Sequence, residues 1–182
     1  TLFPYTTLFR SIEKDSYKAG KSCAKKAVVD LIETKVAFLF SSEKYNHNML
    51  VEGAKSVLGT APIIGCTSSG GIIVPDGIIK SKDGFAGMLA IADDETAVGV
   101  AISERGKNPR ETASKVAKEA MKKVGTDRVP AYVYMIASPI EEEEYIKGIE
   151  DVVGRVPIFG GSTADDTRSG KWKIYTADKC SF

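Results

Sequence analysis

Two patterns of hydrophobic residues along the chain predict alternating helices and strands. Between about Ser16 and Glu33, small and apolar residues recur every fourth position, which predicts a helix with one buried stripe. The stripe consists of Ala19, Cys23, Ala27 and Leu31. By contrast, the runs VAFLF at 36–40 and YVYMI at 132–136 are almost wholly apolar, as in strands that helices cover. We therefore expect both runs to be central strands of a sheet.

Capping signals predict where further helices begin and end. One helix starts at Asn108, which is placed to cap it, and ends at Gly125; a second starts at Ser138 and ends at Gly154. In each case a proline follows the capping residue directly, and a glutamate lies three positions after the capping residue. A fourth helix is expected over about 48–58, so the chain alternates helices with strands.

The segment between these helices predicts a β-hairpin. Its arms would be Phe85–Ala92 and Ala97–Ile102, joined by the acidic residues 93–95. Bulky and small residues alternate in the second arm, so one face would allow close approach of another layer. Trp172–Thr176 is expected to begin a second strand pair.

An internal repeat organises the chain. Placing each residue beside the one 95 positions later superimposes, without a gap, VAFLFSS at Val36 on AYVYMIA and LGTAPIIGCTSSG at Leu58 on VGRVPIFGGSTAD. Glycine or proline coincides in the pairs Gly53 and Gly148, Gly59 and Gly154, Pro62 and Pro157, and Gly65 and Gly160. We predict an α/β fold, a layered α/β sandwich built from two repeated helix–strand–helix–strand units with added β-hairpins. The units would cover about 16–107 and 108–182, the second being incomplete.

Residues 1–11, TLFPYTTLFRS, stand outside this repeat. They match the in-frame translation of a common short-read sequencing adaptor letter for letter, so we interpret them as an artefact. The protein itself would then be a single domain over 12–182. Because Phe182 follows directly after a strand-like run, we also expect truncation at that end.

Composition excludes several classes of function. The 182 residues carry 25 basic and 24 acidic side chains, so no large net field is available to bind nucleic acid or an anionic membrane. Cys23, Cys66 and Cys180 lie far apart and there is one histidine, which predicts no metal site, no cofactor and no disulfide framework. This cysteine usage fits a reducing cytoplasm best, and without an apolar run of about 20 residues we expect a soluble domain. The acidic run Glu141–Glu144 complements a helix dipole better than it forms a metal site.

Two loops rich in glycine and hydroxyl residues form the candidate binding site. Each follows a Pro-apolar-apolar strand, where glycine lets the backbone approach a small polar ligand and hydroxyls supply hydrogen bonds. Asp165 or Asp166 would bind an amino group. Alternatively, the loops are only tight turns of a structural module. The predicted ligand-binding residues are Gly65, Cys66, Thr67, Ser68, Ser69, Gly70, Gly160, Gly161, Ser162, Thr163, Asp165 and Asp166.

Named catalytic motifs do not fit these loops. Gly71 and Ile72 stand where a phosphate-binding loop needs lysine and a hydroxyl residue, and no GxSxG nucleophile elbow is present. Cys66 is the best conceivable nucleophile, for acyl transfer or hydrolysis. A general base that would activate the Cys66 thiol is hard to identify, because His47 is the single histidine and is expected at a solvent-exposed helix start.

The motifs PIIGCTSSGGI at Pro62, DGFAGMLAI at Asp83 and PIFGGSTADD at Pro157 together resemble the N-terminal domain of the FIST family, from about Ser16 to Phe182. The resemblance implies an intracellular sensory domain, not an enzyme, that binds small ligands such as amino acids. It also implies a C-terminal companion domain and kinase or chemotaxis-type signalling modules as partners. Some relatives are thought to bind haem, but nothing near His47 favours an axial ligand. The family commonly has glutamate where this chain has Gly71, so the ligand is left open.

Overall fold

The computed structural model describes residues 6–74, 77–166 and 170–181, with side chains from residue 10 onward. The described helices are α1 (Ser16–Ala27), α2 (His47–Leu58), α3 (Pro109–Val124) and α4 (Glu142–Val153). The described strands are β1 (Thr6–Ser11), β2 (Val36–Ser41), β3 (Ile63–Thr67), β4 (Ile72–Val74), β5 (Gly77–Ile79), β6 (Ala86–Ile91), β7 (Val133–Ala137), β8 (Ile158–Ser162), β9 (Ile174–Thr176) and β10 (Cys180–Ser181). The fold is mixed α/β, as predicted. No helix in these ranges is long and apolar enough to cross a membrane.

The largest sheet has six strands in the order β1-β6-β2-β3-β9-β10. β2 and β3 are parallel, with Ala37 opposite Ile63, and the other neighbours are antiparallel. β2 therefore lies inside the sheet, which confirms its prediction as a central strand. β4 and β5 form a separate antiparallel pair, and β7 and β8 a separate parallel pair.

Helices α1 and α2 share the main hydrophobic core with the large sheet. The core includes Ala19, Cys23, Ala24, Leu39, Leu50, Ile63, Met88 and Tyr175, all at most 1% exposed. The two helices lie close together because glycines face the partner backbone: a Cβ added at Gly53 would stand 2.0 Å from the carbonyl oxygen of Tyr17. In the same way, a Cβ added to Gly148 of α4 would stand 2.2 Å from the Arg110 carbonyl oxygen in α3.

A second, smaller core joins α3 and α4 to β7 and β8. Its buried members are Ala113, Ala137, Tyr145, Ile149 and Val153. The two halves meet where the ring of Phe38, in β2, packs edge-on against that of Tyr134, in β7, with centroids 4.8 Å apart.

α3 begins and ends where its capping residues predict, but one end each of α1 and α4 differs from its prediction. Asn108 caps α3 by accepting a hydrogen bond from the Glu111 N–H at 3.2 Å, and Gly125 ends the helix in the left-handed region. α1 ends at Ala27, not near Glu33, because a turn after it lets the chain reverse into β2. α4 begins at Glu142, since the Ser138 hydroxyl bonds the Tyr145 hydroxyl instead of capping the helix.

One predicted strand pairing and one predicted strand position are wrong. Phe85–Ala92 does contain β6, but Ala97–Ile102 forms no strand, because β1 and β2 occupy both edges of β6. Trp172–Thr176 contributes β9, which pairs with β10, so the expected strand pair is present, and β9 also pairs with β3 in the large sheet. Within the described ranges β7 pairs with β8 alone, so it is not a central strand. Local patterns identify strands but not the partners that other parts of the chain supply.

The second helices and the parallel strand pairs of the two predicted units are offset by either 95 or 96 residues. α2 and α4 each have twelve residues, and α4 begins 95 positions after α2. In the parallel pairs, Ile63 lies opposite Ala37 and Ile158 opposite Val133, so the second strands are 95 apart and the first strands 96. The gapless alignment is therefore one residue off at β2 and β7, since the strand-to-helix connection is one residue shorter in the second unit.

The segment interpreted as an artefact is partly described. Residues 1–5 lie outside the described residues, and 6–11 form β1, which pairs antiparallel with β6. This pairing shows how the segment folds and not where it comes from. Its origin as an adaptor artefact therefore stays a prediction.

Candidate functional site

The two predicted loops lie side by side, at the carboxyl ends of β3 and β8. The hydroxyls of Thr67 and Thr163 hydrogen-bond to each other at 3.0 Å, and the Ala164 N–H donates to the Thr67 carbonyl oxygen at 3.1 Å. Both threonines are 1% exposed. One loop from each predicted unit thus contributes to a single region of the molecule.

The segment before β9 joins the two loops. The Lys173 N–H donates to the Thr67 hydroxyl at 3.0 Å, and the Thr67 N–H donates to the Lys173 carbonyl oxygen at 3.0 Å. The Thr163 hydroxyl lies 3.0 Å from the same carbonyl oxygen. Sequence reasoning missed Lys173, because its contribution is made by backbone atoms that carry no residue-type signal.

The inner residues of the loops are occupied by packing and internal hydrogen bonds. A Cβ at Gly65 would stand 1.9 Å from the Leu39 carbonyl oxygen, and one at Gly160 would stand 1.8 Å from that of Met135. These two glycines therefore allow neighbouring strands to approach. Asp165 is buried and accepts a hydrogen bond from the Lys171 N–H at 2.8 Å.

The outer residues of the loops are accessible. Ser69, Gly70, Gly161, Ser162 and Asp166 are all exposed, and Ser68 is half-buried with its hydroxyl donating to the Gly71 carbonyl oxygen. The Gly70 N–H donates to Asp166 Oδ1 at 3.0 Å, which links the two loops a second time. These exposed residues can meet a ligand without displacing the core.

Carboxylates surround the outer part of the loops. The Asp166 N–H donates to Glu43 Oε2 at 3.3 Å, and the Ser162 hydroxyl donates to Glu142, whose pKa that hydrogen bond lowers. Glu43 lies shortly before α2, and Glu142 is the first residue of α4. A pattern within one loop cannot identify either of these residues. The rim therefore presents three carboxylates: Glu43, Glu142 and Asp166.

Cys66 is placed as a core residue. Its side chain is buried, and burial raises the pKa of its thiol to about 12, although a hydrogen bond with Thr163 acts in the opposite direction. A thiol that stays protonated at neutral pH is a weak nucleophile. The arrangement therefore gives no support to acyl transfer by Cys66.

His47 is buried, so the prediction of a solvent-exposed histidine is wrong. Asn46 caps α2 and turns the first helical residue inward, where the His47 ring stacks on Tyr175 with centroids 5.5 Å apart. Its Nε2 atom lies 3.3 Å from the Ser42 carbonyl oxygen. Burial lowers the pKa of His47. The imidazole thus serves packing.

The buried His47 predicts a loss of stability in mild acid. Because its pKa is lower in the folded than in the unfolded protein, the unfolded state binds more protons below the ordinary histidine pKa of about 6.5. We therefore expect the free energy of unfolding to fall as the pH drops from about 7 to about 5.5. Urea denaturation at both pH values measures this. His47→Gln should flatten the dependence, because the chain has one histidine; an equal fall in the variant would contradict this explanation.

The buried polar groups are already hydrogen-bonded within the protein. Within the described residues, every buried side-chain nitrogen or oxygen has a hydrogen-bond partner, and no group of three or more His, Cys, Asp or Glu residues is placed to hold a metal ion.

Comparison with known protein families gives a match over most of the chain. The sequence model of the FIST N domain family matches residues 35–181, which include both loops and the segment that joins them. No curated protein shows significant sequence similarity to the chain.

Proposed function

Because the chain belongs to the FIST N domain family, whose members are sensory domains of signal-transduction proteins, we propose that it senses a small ligand at the rim of the two loops. One observation carries the proposal: a loop from each half of the chain meets the other through the hydrogen bonds of Thr67 and Thr163. A ligand seated there would contact both halves at once.

The ligand class that suits this rim is a small molecule with a cationic amine, such as an amino acid. Three carboxylates, those of Glu43, Asp166 and Glu142, would attract an ammonium group. Asp166, and not the buried Asp165, is the accessible aspartate. No atom lies within 4 Å of the position of a Cβ added at Gly161, so the second loop leaves room there for the rest of an amino acid.

Sensing would follow from the position of the rim between the two halves. A ligand that bridges both loops would favour the arrangement of the halves in which its contacts are best, and this needs different affinities for two arrangements. The signal would pass to a C-terminal companion domain and to kinase or chemotaxis-type modules. These partners and a cytoplasmic location are part of the proposal.

A thermal-shift screen of the 182-residue chain against amino acids and simple amines tests the proposal. A ligand at about a hundred times its Kd should stabilise the fold by about 2.7 kcal/mol. Asp166→Asn keeps an acceptor for the Gly70 N–H but removes the charge, so we expect it to weaken binding about tenfold or more. Asp94→Asn, at an exposed turn, is the matched control and should bind normally. Equal shifts in both variants, or none with any amine, would contradict the proposal.

A further inference from the structure

An apolar groove lies between the two halves of the molecule. It encloses about 580 Å³ between residues 97–103, strand β7 and the large sheet. Apolar side chains that line it include Phe38, Val98, Val100, Ile102, Tyr134 and Ile136. Because the groove shares none of the loop residues described above, it is separate from the proposed ligand site.

Within the described residues, both long walls of the groove present backbone groups that pair with no strand. The Val133 N–H donates to the Pro157 carbonyl oxygen, so the alternate residues Tyr134 and Ile136 direct their N–H and C=O groups to the opposite edge, towards the groove. In the described ranges no backbone hydrogen bond joins residues 97–102 to β7. Such edges are templates for another strand.

The first half of the molecule shows what fills the equivalent place. There β1 precedes α1, β2 follows α1, and β6 lies between the two strands, antiparallel to both. In the second half, residues 97–103 precede α3 and β7 follows it. The groove therefore lies where the counterpart of β6 would stand.

The position of Ser181 indicates how a strand would enter. At the start of β6, Ala86 lies opposite Ser11 of β1. The residue 95 positions after Ala86 is Ser181, which lines the groove, and its hydroxyl donates to the Ser103 carbonyl oxygen at 3.4 Å. Ser181 thus lies beside residues 97–103, at the end of the groove that corresponds to the start of β6 in the first half.

We propose that polypeptide attached at residue 182 fills this groove as a β-strand, antiparallel to β7 and with the uncharged, apolar pattern of β6. The N–H and C=O groups of Tyr134 and Ile136 pair with it, and its side chains cover Val98, Val100 and Ile102. The strand extends the β7–β8 sheet without a break and turns residues 97–102 into its outer neighbour. This proposal is independent of ligand binding at the loops.

The test extends the chain at its C-terminus with the sequence of residues 88–92, Met-Leu-Ala-Ile-Ala. The matched control carries the same extension with proline in place of its leucine and isoleucine, the two positions whose N–H groups face β7 by analogy with the β6–β2 pairing. Amide hydrogen exchange is measured at Tyr134 and Ile136, with Phe38, already paired in β2, as the internal reference. Circular dichroism shows whether each protein is folded.

We expect the apolar extension to slow exchange at Tyr134 and Ile136 roughly tenfold or more relative to the unextended chain, with no change at Phe38. The proline extension should leave both amides unprotected. Equal exchange rates in the extended and unextended chains, or equal protection by the proline extension, would overturn the proposal. A free Met-Leu-Ala-Ile-Ala peptide is the last comparison. Protection by the peptide but not by the extension would place the occupant on another molecule and also overturn it.

Discussion

Gly65→Ala is expected to destabilise the protein by about 3 kcal/mol, although the change adds one methyl group. The added Cβ would stand 1.9 Å from the Leu39 carbonyl oxygen and 2.5 Å from the Tyr175 ring. β2 and β3 are held in parallel register at this point, so their backbones cannot separate without breaking hydrogen bonds on both sides. Strain in the middle of the sheet is the expected result.

Urea denaturation of Gly65→Ala should be compared with Gly161→Ala. Gly161 occupies the second loop but has no atom within 4 Å of the position of an added Cβ, so its substitution should change the free energy of unfolding by about 0.5 kcal/mol or less. A Gly65→Ala protein as stable as Gly161→Ala would show that the strands are not packed this closely. It would also return Gly65 to the set of glycines that could serve a ligand.

Tyr175→Ala should cost about 4 kcal/mol, because Tyr175 is fully buried between the large sheet and α2. The ring stacks on His47, and the hydroxyl bonds the Ser41 hydroxyl at 2.9 Å and the Cys66 carbonyl oxygen at 3.0 Å. Truncation therefore leaves both a cavity and two buried polar groups without their partner. The strand that carries Tyr175 also positions Lys173, so the two loops should loosen as well.

Tyr175→Phe separates the two contributions. It keeps the ring and removes the hydroxyl, so we expect a loss of about 1–2 kcal/mol, well below that of the alanine variant. Chemical denaturation at pH 7 measures both variants. If Tyr175→Phe lost as much as Tyr175→Ala, the hydroxyl network and not the packing of the ring would hold β9 in place.

Sequence reasoning succeeded where the determining chemistry is local. Asn108 and Gly125 define α3 because a cap acts within one turn of its own helix. The apolar run at 36–40 identified β2, and the two glycine-rich loops, recognised from their composition, do lie together. Each of these features depends on residues that are close in the chain or on one repeated pattern.

Sequence reasoning failed where a distant segment decides the outcome. Both edges of β6 present the same kind of backbone N–H and C=O groups. The residue pattern of β6 therefore cannot tell whether Ala97–Ile102 or another strand pairs with it. His47 is polar and lies among polar neighbours, yet Tyr175, more than a hundred residues later, covers it. The rim carboxylates of Glu43 and Glu142 were missed for the same reason, because they approach the loops only in the folded chain.

Amide chemical shifts distinguish one ligand site shared by the two loops from separate sites at each loop. Titration of the ¹⁵N-labelled chain with the amine or amino acid that stabilises it most should move the N–H signals of Gly70 and Gly161 together, with one Kd. The signals of Tyr134 and Ile136, in the groove, should stay in place. Movement of one loop alone, or of the groove and not the loops, would contradict the account.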